Sequence, residues 1–329
     1  MAVKSLAIAG MGAVSPAGWS VTDLERAVAA GSPLPNSLMD RPGWKTGLKV
    51  RRVPAPNTPV SWMKHARLRR SSPITRFATA AALEALGDRA EKVANGTLHV
   101  GIVYCVMAGC VNYSGRFYRE VLVDPSTASP LVFPETVFNA PASHLAALLS
   151  TPVANYTLVG DDTAFLHGLA IAAGWLRESR MDACLVVGAE ELDWLTGDAS
   201  RLFDRRTATA EGAGAVLLES SEAGPQLAAI TSPHPYLAAG NRSDAARAMQ
   251  AELDSVAPGA DRFDSGHAHG PGGGTAVRAV TGNAFNAATA WQVVLAGRAV
   301  QSGAAACARI GITGCNQAAM GAVLKTQSR

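Results

Sequence analysis

Charge is scarce in this chain: Asp, Glu, Lys and Arg make up 17% of its 329 residues, against 48% hydrophobic residues. That balance excludes a disordered, solvating role and predicts a compact body with much buried surface, possible subunit contacts included. The charges present nearly cancel, at +3, which leaves no electrostatic footprint for nucleic acid. Cysteine is sparse as well. Cys105, Cys110, Cys184, Cys307 and Cys315 are odd in number and lack metal-ligand spacing, so they read as reduced core thiols of a cytoplasmic protein. Long apolar runs are also missing. The start Leu6-Ala7-Ile8-Ala9 is cut by Gly10, Gly12 and Pro16, which predicts a strand followed by a turn. Neither a signal peptide nor a bilayer span is expected. Gly10-Met11-Gly12 has no third glycine before a helix, which disfavours a dinucleotide fold. No feature asks for a metal or an organic cofactor.

What the chain has is glycine, 32 residues of it, suited to tight turns and close helix–sheet packing. Strand-like and helix-like segments alternate throughout, the pattern of an α/β layered fold. Strands are expected at 3–9, 100–106, 155–159, 183–188 and 214–219. Helices are expected at 21–30, after Ser20, and at 75–86, 163–177, 243–256 and 284–300. The proline-rich stretch 33–59 reads as a long surface connection, and two terminal strands flank Gly314. A composition shift at Glu222-Ala223-Gly224-Pro225 predicts two α/β halves, 1–222 and a shortened 223–329.

Six segments in order carry a resemblance. They are Ile8–Gly18, Arg76–Leu86, Ser129–Ala142, Asp182–Glu190, Phe203-Asp204 with Glu211–Glu219, and Gly311–Asn316. Together they resemble the β-ketoacyl synthases of the thiolase superfamily. The resemblance implies a thiolase-like fold, with two related α/β halves in a layered αβαβα arrangement. It further implies acyl-thioester substrates on an acyl carrier protein bearing phosphopantetheine, and a dimer.

The same resemblance shows what is missing. Condensation in that family needs a thiol at a sharp strand-to-helix turn, where a helix N-terminus lowers its pKa. The matching position here is Asp162, within Thr157-Leu158-Val159-Gly160-Asp161-Asp162-Thr163-Ala164, and a carboxylate cannot hold an acyl chain as a thioester. Capping of the following helix is the plainer role for Asp161 and Asp162. The family's first histidine matches His269, with His267 beside it on one strand face, but Pro271-Gly272-Gly273-Gly274 follows where threonines are expected. The second histidine position holds Asn283, which cannot shuttle a proton at neutral pH. The lysine position holds Arg278, and Ile312, next to Gly314, stands where the gate loop has phenylalanine. Phe133, Phe138 and Tyr156 would shape an acyl tunnel. Lys64, Arg67, Arg69 and Arg70 form the one dense basic run, either a solvated surface or a docking site for an acidic carrier.

Three readings follow. The chain could be a chain-length-factor-like partner of an active ketosynthase in a fatty acid, polyketide or aryl-polyene system. It could be an independent acyl-thioester enzyme (hydrolase, decarboxylase or acyltransferase) using Asp162 and His269. It could instead be an acyl or carrier-protein binding module. A homodimer stays open in all three.

Overall fold

The structure is a computed structural model and describes residues 5–56, 61–150, 154–236, 241–263 and 277–327. Its first half runs β1 (Leu6–Val14), α1 (Val21–Ala30), β2 (Ser37–Met39), β3 (Leu48–Arg51), α2 (Pro73–Leu86), α3 (Arg89–Ala94), β4 (Val100–Val106), α4 (Val111–Val123), α5 (Ala140–Leu148), β5 (Asn155–Val159), α6 (Ala164–Arg177), β6 (Ala183–Glu190), α7 (Trp194–Ser200), β7 (Thr209–Ala210) and β8 (Gly212–Ser220). The second half continues with β9 (Gln226–Ile230), β10 (His234–Pro235), α8 (Arg242–Val256), β11 (Asp261–Arg262), α9 (Val277–Thr281), α10 (Phe285–Gln301), β12 (Cys307–Thr313) and β13 (Ala318–Lys325). Among the described residues no helix is long and apolar enough to cross a membrane.

The main sheet has the order β11-β12-β13-β9-β1-β8-β6-β4-β5, with β10 beside β13. Its two halves touch through one residue pair of β1 and β9, Ala7 with Gln226. The bend at 222–225, where the sequence predicts the join, lies between β8 and β9. Packing divides the molecule into five layers. Helices α2 and α5 cover the outer face of the first half, and α8 covers that of the second. Helices α6 and α10 are clamped between the sheets, sharing a core with Leu6 and Ile8 on one side and Ile310, Ile312 and Met320 on the other. Buried on both faces, α10 is apolar almost all round, as a central helix should be.

Two local readings are corrected. β1 does not end at Gly10; it continues to Val14 and pairs with β8 over its whole length. The glycines are there because α2 lies against the strand: a Cβ at Gly10 or Gly12 would overlap the carbonyl oxygens of Ala85 and Ala81. They mark close helix–sheet approach, not a turn. The stretch 33–59 is not only a connection, because β2 and β3 form a hairpin that joins β7 in a second, three-stranded sheet.

Candidate functional site

The β5–α6 turn positions the central residues. β5 ends at Val159, Gly160 donates its N–H to Val106 O, and Asp161, Asp162 and Thr163 are buried where α6 begins. The two aspartates divide the work. Asp161 Oδ1 accepts Thr163 N–H at 3.0 Å and Thr163 Oγ1 at 2.7 Å, so it closes the start of the helix. Its Oδ2 accepts the N–H groups of Asn316 and Gln317 at 3.1 and 2.8 Å, tying the turn to the β12–β13 loop. Gln317 Oε1 returns a bond from Asp161 N–H at 3.1 Å. Gly314 is required in that loop, since any Cβ would run into the Asp161 carboxylate. The capping expected of the two aspartates is not what the geometry gives: the Asp161 carboxylate holds Thr163, the residue before the helix, and the Phe165 N–H in the first turn is taken by Asn286 Oδ1.

Asp162 faces the other way. Its Oδ1 stands 2.8 Å from Nη2 of Arg278, with the carboxylate 1% and the arginine side chain 14% exposed. The guanidinium meets the carboxylate off the line of an ideal hydrogen bond, so the contact is chiefly an ion pair. Oδ2 accepts Cys315 N–H at 3.2 Å, and Thr289 Oγ1 bonds the Asp162 carbonyl at 2.8 Å. Burial first, then Asp162 and Asp161, push the Cys315 thiol up to about 12. A thiol held there is protonated at neutral pH and is a poor nucleophile. The ligand atoms of Asp161, Asp162 and Cys315 lie within 4.8 Å of one another, but the carboxylate oxygens already have partners, so the trio reads as loop-binding rather than metal-binding.

Asn283 occupies the same cleft. Its Oδ1 accepts Phe285 N–H at 3.1 Å, while its backbone pairs with Ala208 and Ala210. Phe285, which opens α10, has φ +44, a strained conformation for an aromatic residue and one that clusters at functional sites. Asp162, Arg278, Asn283, Phe285, Thr313 and Cys315 line a cleft of about 390 Å³. Its walls are mostly polar. Arg242, at the start of α8, lines it too and donates to Thr313 O at 3.1 Å.

Behind the turn lies a third buried carboxylate. Glu190 ends β6 and accepts the N–H groups of Met107 and Ala108 at 2.6 and 3.1 Å. Burial raises its pKa to about 8, against those bonds and with a smaller contribution from Asp162. Asn286 links it to the turn, donating to Gly160 O at 3.0 Å and accepting Phe165 N–H at 3.0 Å. Neither Arg242 nor Asn286 stands out by sequence motif.

The remaining candidates lie elsewhere. His269, His267 and residues 271–274 are outside the described residues. Ile312 is fully buried in the central core, so it does not line the cleft where the gate was expected. Phe133, Phe138 and Tyr156 are 55%, 43% and 51% exposed, on the molecular surface and not in this cleft. Lys64, Arg67, Arg69 and Arg70 are exposed on and beside two 3-10 turns around the buried Leu68.

Comparison with known proteins agrees with this fold. Residues 162–232 match the family model for 3-oxoacyl-[acyl-carrier-protein (ACP)] synthase III. No curated protein matches the sequence. Among solved structures, the ishigamide ketosynthase/chain length factor is 20% identical with a TM-score of 0.78, over 98% of this chain and 100% of that one. A β-ketoacyl synthase from Burkholderia phymatum STM815 is 16% identical with a TM-score of 0.75, over 99% and 100%. A ketosynthase in complex with its chain length factor from Xenorhabdus doucetiae is 15% identical with a TM-score of 0.71, over 98% of each. At these identities the likeness is one of fold.

Proposed function

We propose that this chain, with the thiolase-type fold of ketosynthases and chain length factors, is a non-condensing partner subunit of an active, cysteine-bearing ketosynthase. The observation that carries this reading is the buried Asp162–Arg278 pair at the β5–α6 turn. A condensing subunit would present a nucleophile there. Here the side chain at the turn is a carboxylate held by a cation, and the thiol beside it, Cys315, is protonated at neutral pH. Asn283, where the resemblance expects a histidine, has no titratable group to shuttle a proton. At Asp162, Arg278 and Asn283 the groups hold one another or the backbone still.

A surface for the partner supports the same reading. β5 closes one end of the main sheet, pairs only with β4 among the described residues, and leaves Tyr156 and Val159 more than half exposed. Helix α4 has no buried residue at all, and Tyr118, Leu122 and Val123 stand out on it. Leu131, Phe133, Val137 and Phe138 add to this set of exposed apolar side chains. An open strand edge and a set of exposed apolar groups are what a subunit interface leaves behind when the partner is removed. A second thiolase-fold chain that adds its own edge strand to β5 would satisfy those backbone groups and cover the side chains. Phe133, Phe138 and Tyr156 then act at the joint, shaping the partner's acyl tunnel. The substrate class is an acyl thioester carried on phosphopantetheine.

The test is co-expression with a cysteine-bearing ketosynthase from the same source, followed by native mass spectrometry and an elongation assay. A one-to-one heterodimer is expected, whose activity dies when the partner's cysteine becomes alanine and survives Asp162→Asn. A homodimer that turns over acyl thioesters alone, and loses that activity in Asp162→Asn, would overturn the reading.

A further inference from the structure

A second cavity, of about 510 Å³, opens between the three-stranded sheet and the loop after α7. Lys49 and Arg51 project into it from alternate positions of β3, and Arg201, Arg205 and Arg206 reach it from the loop. It has five cationic side chains and no acidic one among its lining residues. Acids nearby are already taken: Asp198 by Arg41 at 2.5 Å, Glu211 by Arg52 at 3.8 Å, and Asp204 Oδ1 by the N–H groups of Arg206 and Thr207 at 2.8 and 3.3 Å. Those last bonds also fix the loop that carries Arg205 and Arg206.

Arg51 turns this patch into a built site. It is 7% exposed, and burial lowers its pKa. Nη1 is committed to the carbonyls of Ala279 and Val280, each at 2.9 Å, but the buried Nε has no hydrogen-bond partner. A buried cationic nitrogen left without an acceptor is costly, and four further cations around one cavity add repulsion that an anion would relieve. The planar guanidinium suits the oxygens of a phosphate, and five positive groups exceed what one phosphate needs. The cavity also has the volume of a small-molecule site rather than a single-ion site.

We propose that this cavity, built by Lys49, Arg51, Arg201, Arg205 and Arg206, binds a diphosphate group. The site is separate from the Asp162–Arg278 cleft and does not depend on the partner-subunit reading. It shares Thr207 with that cleft, and Arg51 bonds the carbonyls next to Arg278 on α9. The diphosphate could belong to a nucleotide or to a ligand with no base.

The test is calorimetric titration of the full chain at fixed physiological ionic strength with inorganic phosphate, pyrophosphate and ADP. Pyrophosphate is expected to bind about tenfold or more tightly than phosphate, because each added charge-assisted bond is worth about that factor. Arg51 also ties β3 to α9, so the exposed Arg201 and Arg205 carry the mutational arm. Arg201→Ala and Arg205→Ala should each weaken pyrophosphate about tenfold, with unchanged thermal stability, while Arg67→Ala should change nothing. ADP tighter than pyrophosphate would identify a nucleotide source, and ADP equal or weaker a ligand without a base. Pyrophosphate binding no tighter than phosphate would overturn the proposal, as would equal loss of binding in Arg67→Ala.

Discussion

At the scale of single residues, the Asp162–Arg278 pair sets the energetics of the site. Asp162 is buried and Arg278 largely so, so removing the arginine leaves the carboxylate as an uncompensated charge, which costs up to about 3–5 kcal/mol. Arg278→Ala should therefore lower the unfolding free energy by about that much in urea titrations. Asp162→Asn in the same chain should recover a large part, because the amide no longer needs a cation. If the single and double variants prove equally unstable, the pair is not the unit described. Glu190 makes a second prediction of this kind. Its pKa rises from 4.5 to about 8 on folding, so between those values the folded state keeps a proton that the unfolded chain releases. Its contribution is full below about 4.5 and is lost as pH rises through about 8. Burial raises Glu84, Glu191 and Glu211 as well, with the same sign. Thermal stability should thus fall from mildly acidic to mildly alkaline pH. Glu190→Gln, although it sets an NH₂ against Ala108 N–H, should make that fall shallower.

At the scale of elements, periodicity made the strands and helices of the two cores legible. Helix α1, with its Ser20 cap, and strands β4 and β5 fall where the pattern places them. What stayed hidden was set by partners far along the chain. Gly10 and Gly12 read as a turn because sequence cannot show that α2 carbonyls press on β1. The β2–β3 hairpin owes its place to β7, more than a hundred residues on. The candidate site divides in the same way. Asp162, Arg278 and Asn283 are singled out by resemblance alone, and the fold gathers them in one cleft. Arg242 and Asn286 have no motif, and only the packing of α8 and α10 reveals them. Ile312 sits in the gate-like segment, yet its side chain points into the core. The element that matters most for assembly is β5. Its open edge predicts that Tyr156→Lys together with Val159→Lys will keep the chain folded, since both are exposed, but prevent any dimer. Size-exclusion chromatography with light scattering, beside circular dichroism, separates these outcomes. A dimer that persists would move the interface away from β5.

At the scale of the whole molecule, five layers leave two surface patches with different chemistry. One carries the exposed apolar groups of α4 and β5, where the proposed partner chain would sit. Lys64, Arg67, Arg69 and Arg70, exposed around Leu68, offer charge without apolar area, so what they recognise should be acidic and held weakly. A carrier protein bearing an acyl phosphopantetheine arm fits that description, and its docking should depend on salt far more than subunit pairing does. Arg67→Glu with Arg70→Glu should weaken carrier binding to the heterodimer by about tenfold or more at low salt, chiefly through slower association. At several hundred millimolar salt the difference should nearly vanish. The subunits should stay paired throughout, because apolar area and strand pairing are not screened. Surface plasmon resonance with immobilised heterodimer would read both rates. An unchanged association rate would mean that the basic run is only a solvated surface and that the carrier approaches through the partner subunit alone.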